Sequence, residues 1–187
     1  MSFMFKRYPP PSRRAIFFAR EAALAAGAAE IDSMHLLSGL VLEKPSRANG
    51  LLKLDERFPE EAARMRALKR ATERKDIPLT RDSKRILVFA AEEANELDDY
   101  WIDTDHLVLG ILRERHCAAA AKLEAVGLKI EEARKQVAAS SEQREPYGAV
   151  PALWRLAKPI SRVGHFAGIM YLLLIFVLIK LLAQRSC

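Results

Sequence analysis

The sequence predicts an all-α protein: two pseudo-symmetric four-helix halves followed by a single C-terminal transmembrane helix. Three observations lead there. The chain repeats itself at an offset of 71 residues, apolar residues recur at helical spacing in both copies, and a 21-residue apolar run lies near the C-terminus. Residues 12–43 and 83–114 align without a gap, with Arg14/Arg85, Phe18/Phe89, Ala19/Ala90, Glu21/Glu92, Ile31/Ile102, Asp32/Asp103, His35/His106, Leu36/Leu107 and Gly39/Gly110 in register. The spacing is too long for a common solenoid unit, so it marks a duplicated helical half-domain.

Each element has its own signal. After Ser12, the residues Ile16, Ala19, Ala23 and Ala26 fall at three- and four-residue spacing, giving one buried helix face. Gly27 then stands where a helix stops in the left-handed region. Ser33 and Thr104 are the expected N-caps of the next helix in each copy, because a hydroxyl there accepts from an orphan first-turn N–H. Leu36, Leu37 and Leu40, matched by Leu107, Val108 and Ile111, form the apolar face that follows. Gly39 and Gly110 sit inside these helices, where glycine costs about 1 kcal/mol against alanine, so close helix–helix approach is the expected reason. Further helices are expected over 46–53, 59–74, 117–126 and 131–140. The faces bearing Phe18, Leu36, Phe89 and Leu107 are expected to join the halves. No alternating strand pattern with hairpin punctuation occurs.

The two copies resemble a known family, the Clp repeat (R) N-terminal domain of the Clp ATPase unfoldases. The resemblance rests on the run 14–22 (RAIFFAREA), on 31–40 (IDSMHLLSGL) and 102–111 (IDTDHLVLGI), and on 77–80 (IPLT), which looks like the opening of the family's second repeat. It covers residues 8–140, with repeat 1 at about 12–75 and repeat 2 at about 80–140. It implies a non-catalytic module that binds adaptor proteins and substrates, in some members through phosphoarginine. That ligand is received by an acid after the capping threonine, together with a threonine near the start of a repeat. Carried over residue by residue, the first copy has Met34 and Pro9 at these positions and looks disabled. The second copy keeps Thr80 and Asp105, with Asp105 one methylene shorter than glutamate.

Chemistry of other kinds has no support in the sequence. There is no G-x-x-x-x-G-K-[ST] loop, so the Clp-like part stands without the ATPase modules of its relatives, and neither H-E-x-x-H nor G-x-S-x-G occurs. His35 and His106 occupy equivalent first-turn positions beside Asp32 and Asp103, which points to a structural bond rather than to catalysis or a metal. No cofactor and no metal is expected. Cys117 and Cys187 have neither metal-ligand spacing nor a disulfide framework.

Charge separates the chain into two parts. Up to Glu145 it carries 25 basic and 24 acidic residues, a net of +1, which excludes a strongly basic nucleic-acid-binding domain. The run at 64–75 reads as the solvated face of a helix. Of the other five basic residues, Arg155, Lys158, Arg162 and Arg185 flank the apolar segment at 163–183 and Lys180 lies close enough to its end to snorkel; the segment's length of about 31 Å matches a hydrocarbon core of roughly 30 Å. Trp154, Arg155, Lys158 and Arg162 form the expected interfacial collar, and residues 141–162 a linker and juxtamembrane segment. The charge bias puts the N-terminal domain in the cytoplasm with a C-terminal anchor. Gly164 and Gly168 form a G-x-x-x-G pattern, the expected contact if the chain pairs as a homodimer. The sequence thus describes a membrane-anchored protein-interaction module linked to regulated proteolysis or quality control. The alternative is a self-associating membrane scaffold that has lost the Clp partnership.

Overall fold

Apolar residues at helical spacing, with caps and left-handed stops between them, build eight helices in the computed structural model, which describes residues 6–44, 46–59, 76–140 and 147. In chain order these are α1 (Pro10–Ala25), α2 (Ser33–Leu42), α3 (Arg47–Leu52), α4 (Leu54–Arg57), α5 (Arg81–Glu96), α6 (Thr104–Arg113), α7 (Ala118–Ala125) and α8 (Ile130–Ala139). The first three begin 71 residues before α5, α6 and α7. The four-residue α4 is an element the sequence pattern does not announce. The helix expected over 59–74 lies, apart from Pro59, outside the described residues, as does the apolar span at 163–183. Among the described residues no helix is long and apolar enough to cross a membrane.

Helix α1 opens on Pro10 and Pro11, whose fixed φ suits a first turn and whose missing N–H groups would be orphans there in any case. It stops at Gly27, φ +67°, as its sequence position predicts. Gly27 N–H and Ala28 N–H return to Leu24 O and Ala23 O at 3.0 and 2.9 Å. In the second repeat Asp98 takes the same left-handed position at φ +61°, one of the few residue types that tolerates it.

Helix α1 packs on α2, and α5 on α6, through alanines. Ala15, Ala19, Ala22 and Ala23 are buried on α1, and Ile86, Ala90 and Ala94 on α5. Such small side chains let the backbones meet. A Cβ on Gly39 would overlap the Ala15 carbonyl oxygen, and one on Gly110 would stand 2.5 Å from that of Ile86. The close approach inferred from mid-helix glycine is therefore present in both repeats. It also corrects one expectation: Leu36 and Leu107 are buried between the halves, but Phe18 and Phe89 are only partly covered, and the Arg113 guanidinium lies over the Phe89 ring at 4.7 Å. At this separation alanine fills the inside and the phenyl rings are displaced to the flank.

Each repeat also carries a matched ion pair. Arg14 reaches Glu43 at 2.6 Å and Arg85 reaches Glu114 at 2.6 Å, with both carboxylates almost fully buried. The hydrogen bonds from Arg85 hold the Glu114 carboxyl below its ordinary range.

The connections run across the repeats. Ile31 N–H donates to Pro78 O at 2.8 Å and Thr80 N–H to Ile31 O at 3.0 Å, forming an isolated parallel bridge. The equivalent donor, Ile102 N–H, reaches Arg7 O at 2.8 Å. The return bond has no counterpart there, because Pro9 stands where repeat 2 has Thr80 and has no N–H. Arg7 further ties the N-terminal segment to the end of α5 through Tyr100 O, Asp99 O and Asn95 Oδ1.

Candidate functional site

The starts of α2 and α6 carry the residues that the sequence singles out. Both helices are capped one residue earlier than Ser33 and Thr104 suggest: the N-caps are Asp32 and Asp103. Each closes a capping box in which histidine replaces the usual glutamate or glutamine. His35 Nδ1 accepts from Asp32 N–H at 3.2 Å, and His106 Nδ1 accepts from Asp103 N–H at 3.0 Å. An accepting Nδ1 leaves the proton of a neutral ring on Nε2, and in repeat 2 that nitrogen faces Asp99 Oδ2 at 3.2 Å. The histidines thus hold helix starts. Among the described residues no group of His, Cys, Asp and Glu is placed to hold a metal ion.

Ser33 and Thr104, displaced from the cap, serve the opposite repeat. Thr104 Oγ1 accepts from Ala48 N–H in α3 at 3.1 Å, and Ser33 Oγ accepts from Ala119 N–H in α7 at 3.4 Å.

Thr80 and Asp105, paired by their shared repeat, sit in different settings. Thr80 caps α5, its hydroxyl accepting from Ser83 N–H at 3.2 Å and donating to Ser83 Oγ at 3.0 Å. Through the bridge to Ile31 it belongs with the connection that leads to Met34. The connection leading to Asp105 is bonded to Arg7 instead. The acid and the hydroxyl are thus divided between the two pseudo-equivalent places, each of which keeps one of them.

Asp105 is fully buried and already holds a guanidinium: Arg47 Nε donates to its Oδ2 at 2.9 Å. Arg47 Nη2 continues to Ser140 Oγ at 2.8 Å, and Nε lies 4.0 Å from Asp103 Oδ2. One guanidinium therefore serves two buried carboxylates. Burial first, and the Asp105 charge second, push the Asp103 carboxyl above its ordinary range. Asp103 Oδ2 also accepts from the Tyr147 hydroxyl at 2.7 Å, and burial beside that carboxylate pushes the phenol up as well.

Arg47 and Tyr147 are members of this cluster that the motif does not mark; Asp103 is in the motif, but nothing there assigns it to the cluster. Arg47 had one legible signal. It is a cation in the first turn of a helix, where the macrodipole disfavours it unless an acid is close by. The interfacial residues Trp154, Arg155, Lys158 and Arg162, and Gly164 and Gly168, lie outside the described residues.

Comparison with known proteins agrees with this architecture. The chain is 30% identical over 139 residues to the negative regulator of genetic competence ClpC/MecB of Bacillus subtilis, covering 72% of this chain and 17% of that protein. It is 32% identical over 140 residues to the ATP-dependent Clp protease ATP-binding subunit ClpA homolog of Guillardia theta, again covering 72% and 17%. The chain thus spans about a sixth of the length of these relatives. Among solved structures, the N-terminal domain of the caseinolytic protease associated chaperone ClpD from Arabidopsis thaliana superposes with a TM-score of 0.56 at 20% identity, covering 76% of this chain and 99% of that one. The Hsp104 N-terminal domain from Candida albicans gives 0.55 at 14% identity, covering 74% and 95%. The sequence model of the Clp repeat (R) N-terminal domain matches residues 7–126, and the chain belongs to that family.

Proposed function

We propose that this chain is a non-catalytic protein-interaction module that engages the adaptors, substrates or unfoldase components of Clp-type proteolysis, held at a membrane by residues 163–183 with the folded domain in the cytoplasm. The observation that carries the reading is the family match over both repeats, in a chain whose sequence has no phosphate-binding loop. The apolar run and its basic collar support the anchor.

Asp105 is the residue we assign to recognition. Its pairing with Arg47 supports a carboxylate suited to a guanidinium, so a guanidinium-bearing partner, phosphoarginine included, would compete with Arg47. Thr80, committed to Ser83 and joined to the opposite connection, is left out of the assignment.

The test is affinity capture with the full-length chain from detergent-solubilised membranes, run beside Asp105→Ala. Recovery of a Clp-type unfoldase, adaptor or client, reduced in the variant, is the expected result. Recovery of this chain alone favours a self-associating scaffold. Release of the full-length protein from membranes by carbonate removes the anchor from the proposal.

A further inference from the structure

Arg47 is a cation at a helix start that does not favour one. It occupies the first position of α3, where the positive end of the helix dipole repels a guanidinium, and its counterpart on α7 is Ala118. The acid it meets is divided between the repeats in the same way. Asp105 pairs with Arg47 at 2.9 Å, and the residue equivalent to Asp105 is Met34. The halves meet here in matched fashion, α3 through Ala48 and α7 through Ala119. Charge therefore stands on both sides of one junction and on neither side of the other.

The pair is arranged as a cover over its acid. The Asp105 side chain has no exposed surface, whereas 18% of the Arg47 side chain reaches solvent. Arg47 holds this carboxylate through Nε alone, and its Nη2 turns away to Ser140 Oγ and O at 2.8 and 3.4 Å. One such bond is weaker than the two parallel bonds that an arginine fork makes with a carboxylate. An incoming guanidinium can therefore offer Asp105 at least what Arg47 gives up. Asp103 Oδ2, 4.0 Å from the same Nε and bonded also to the Tyr147 hydroxyl, brings a second carboxylate to the place. Two acids around one cation suit an unmodified arginine side chain, because a phosphoryl group on the ligand would face both of them.

We propose that Arg47 is an internal competitor, seated on Asp105 in place of an unmodified arginine side chain of a partner protein. Binding then requires Arg47 to swing out. This autoinhibition rests on the role assigned above to Asp105 in recognition.

Calorimetric titration of Nα-acetylarginine methylamide into the full-length chain and into Arg47→Ala, which carries the residue of repeat 2, tests it. Arg47→Ala is expected to bind about ten- to a hundredfold more tightly, the worth of a charged hydrogen bond. Equal or weaker affinity overturns the internal competitor, and Asp105 then keeps its role if Asp105→Ala loses the binding. No binding by either folded chain removes the competitor and Asp105 as a partner site together. Phosphoarginine bound more tightly than the amide overturns the choice of an unmodified side chain. Should Arg47→Ala lose its helix content by circular dichroism, a measurement on the wild-type chain decides. Phenylglyoxal modification of Arg47, divided by that of exposed Arg115 in the same sample, is expected to rise about tenfold when the amide saturates. An unchanged ratio overturns the competitor, because Arg47 has then kept its seat.

Discussion

Thr104 in the second repeat accepts the backbone N–H of Ala48 in the first at 3.1 Å, and the same contact exists with the repeats exchanged, from Ala119 N–H to Ser33 Oγ at 3.4 Å. Both donors and both acceptors are 71 residues apart. The third helices also carry local caps, Ser46 Oγ accepting from Asn49 N–H and Cys117 Sγ from Ala120 N–H. Each therefore begins with one acceptor of its own and one borrowed across the seam.

Thr104→Val is expected to leave the buried Ala48 N–H unpaired and to cost about 1–3 kcal/mol, with Thr104→Ser restoring most of it. Ser33→Ala removes a longer bond and should cost about 1 kcal/mol or less. Urea denaturation followed by circular dichroism checks the order, and a larger loss at Ser33 contradicts it.

Gly39→Ala and Gly110→Ala place a methyl into the backbone of the facing helix, so each should destabilise by about 1–3 kcal/mol or more. Gly50, within α3, has nothing within 4 Å of an added Cβ, and Gly50→Ala should stabilise by about 0.5–1 kcal/mol through helix propensity alone. Thermal melts of the three variants should move in these opposite directions.

Pro9 and Thr80 share one backbone conformation, φ −70° ψ 169° against φ −59° ψ 166°, so threonine fits at position 9 without strain. Ser12 Oγ is buried and has no hydrogen-bond partner among the described residues, whereas its counterpart Ser83 is bonded to Thr80. Pro9→Thr supplies a cap hydroxyl for Ser12 and an N–H toward Ile102 O. It should raise stability by about 1 kcal/mol in the same denaturation assay.

The pH dependence of stability should carry two opposite signatures. Asp103, flanked by Asp105, Arg47, His106 and Tyr147, binds its proton more tightly in the native state than in the unfolded chain. Its stabilisation is full below the unfolded value near about 3.9 and is lost as pH rises through the native value. Asp103→Asn keeps a capping acceptor, so its advantage over wild type should grow from about pH 4 toward neutrality. Glu114 is shifted the other way by Arg85. The deficit of Glu114→Gln should be full above about pH 4.3 and vanish as acid protonates the wild-type carboxyl. Denaturation midpoints across this range check both signs.

The fold was legible in the sequence because the helix pattern is written twice and the glycines mark close approach. The caps were ambiguous because Asp32–Ser33 and Asp103–Thr104 each offer two capping residues in a row, and histidine in the third position conceals the box. Phe18 and Phe89 fit the helical period, but the period fixes a face and not how near the next helix comes. The candidate site was the least legible. A repeat identifies which residues are equivalent, not which ones meet, and here Thr80 meets the connection of the other half. Asp103 and Asp105 share Arg47, a residue with an alanine at the equivalent position, so comparison of the copies gives it no mark.

The exchange of hydroxyls across the seam is what an isologous dimer would make, in which residue i of one subunit meets j of the other and j meets i. Written into one polypeptide, the two partners no longer have to be identical. In a true symmetric dimer any residue that buried one capping aspartate would bury both. Here Asp32 remains half open while Asp103 is closed. Covalent linkage of the halves is what permits two helix starts with the same cap to differ in how far they are covered.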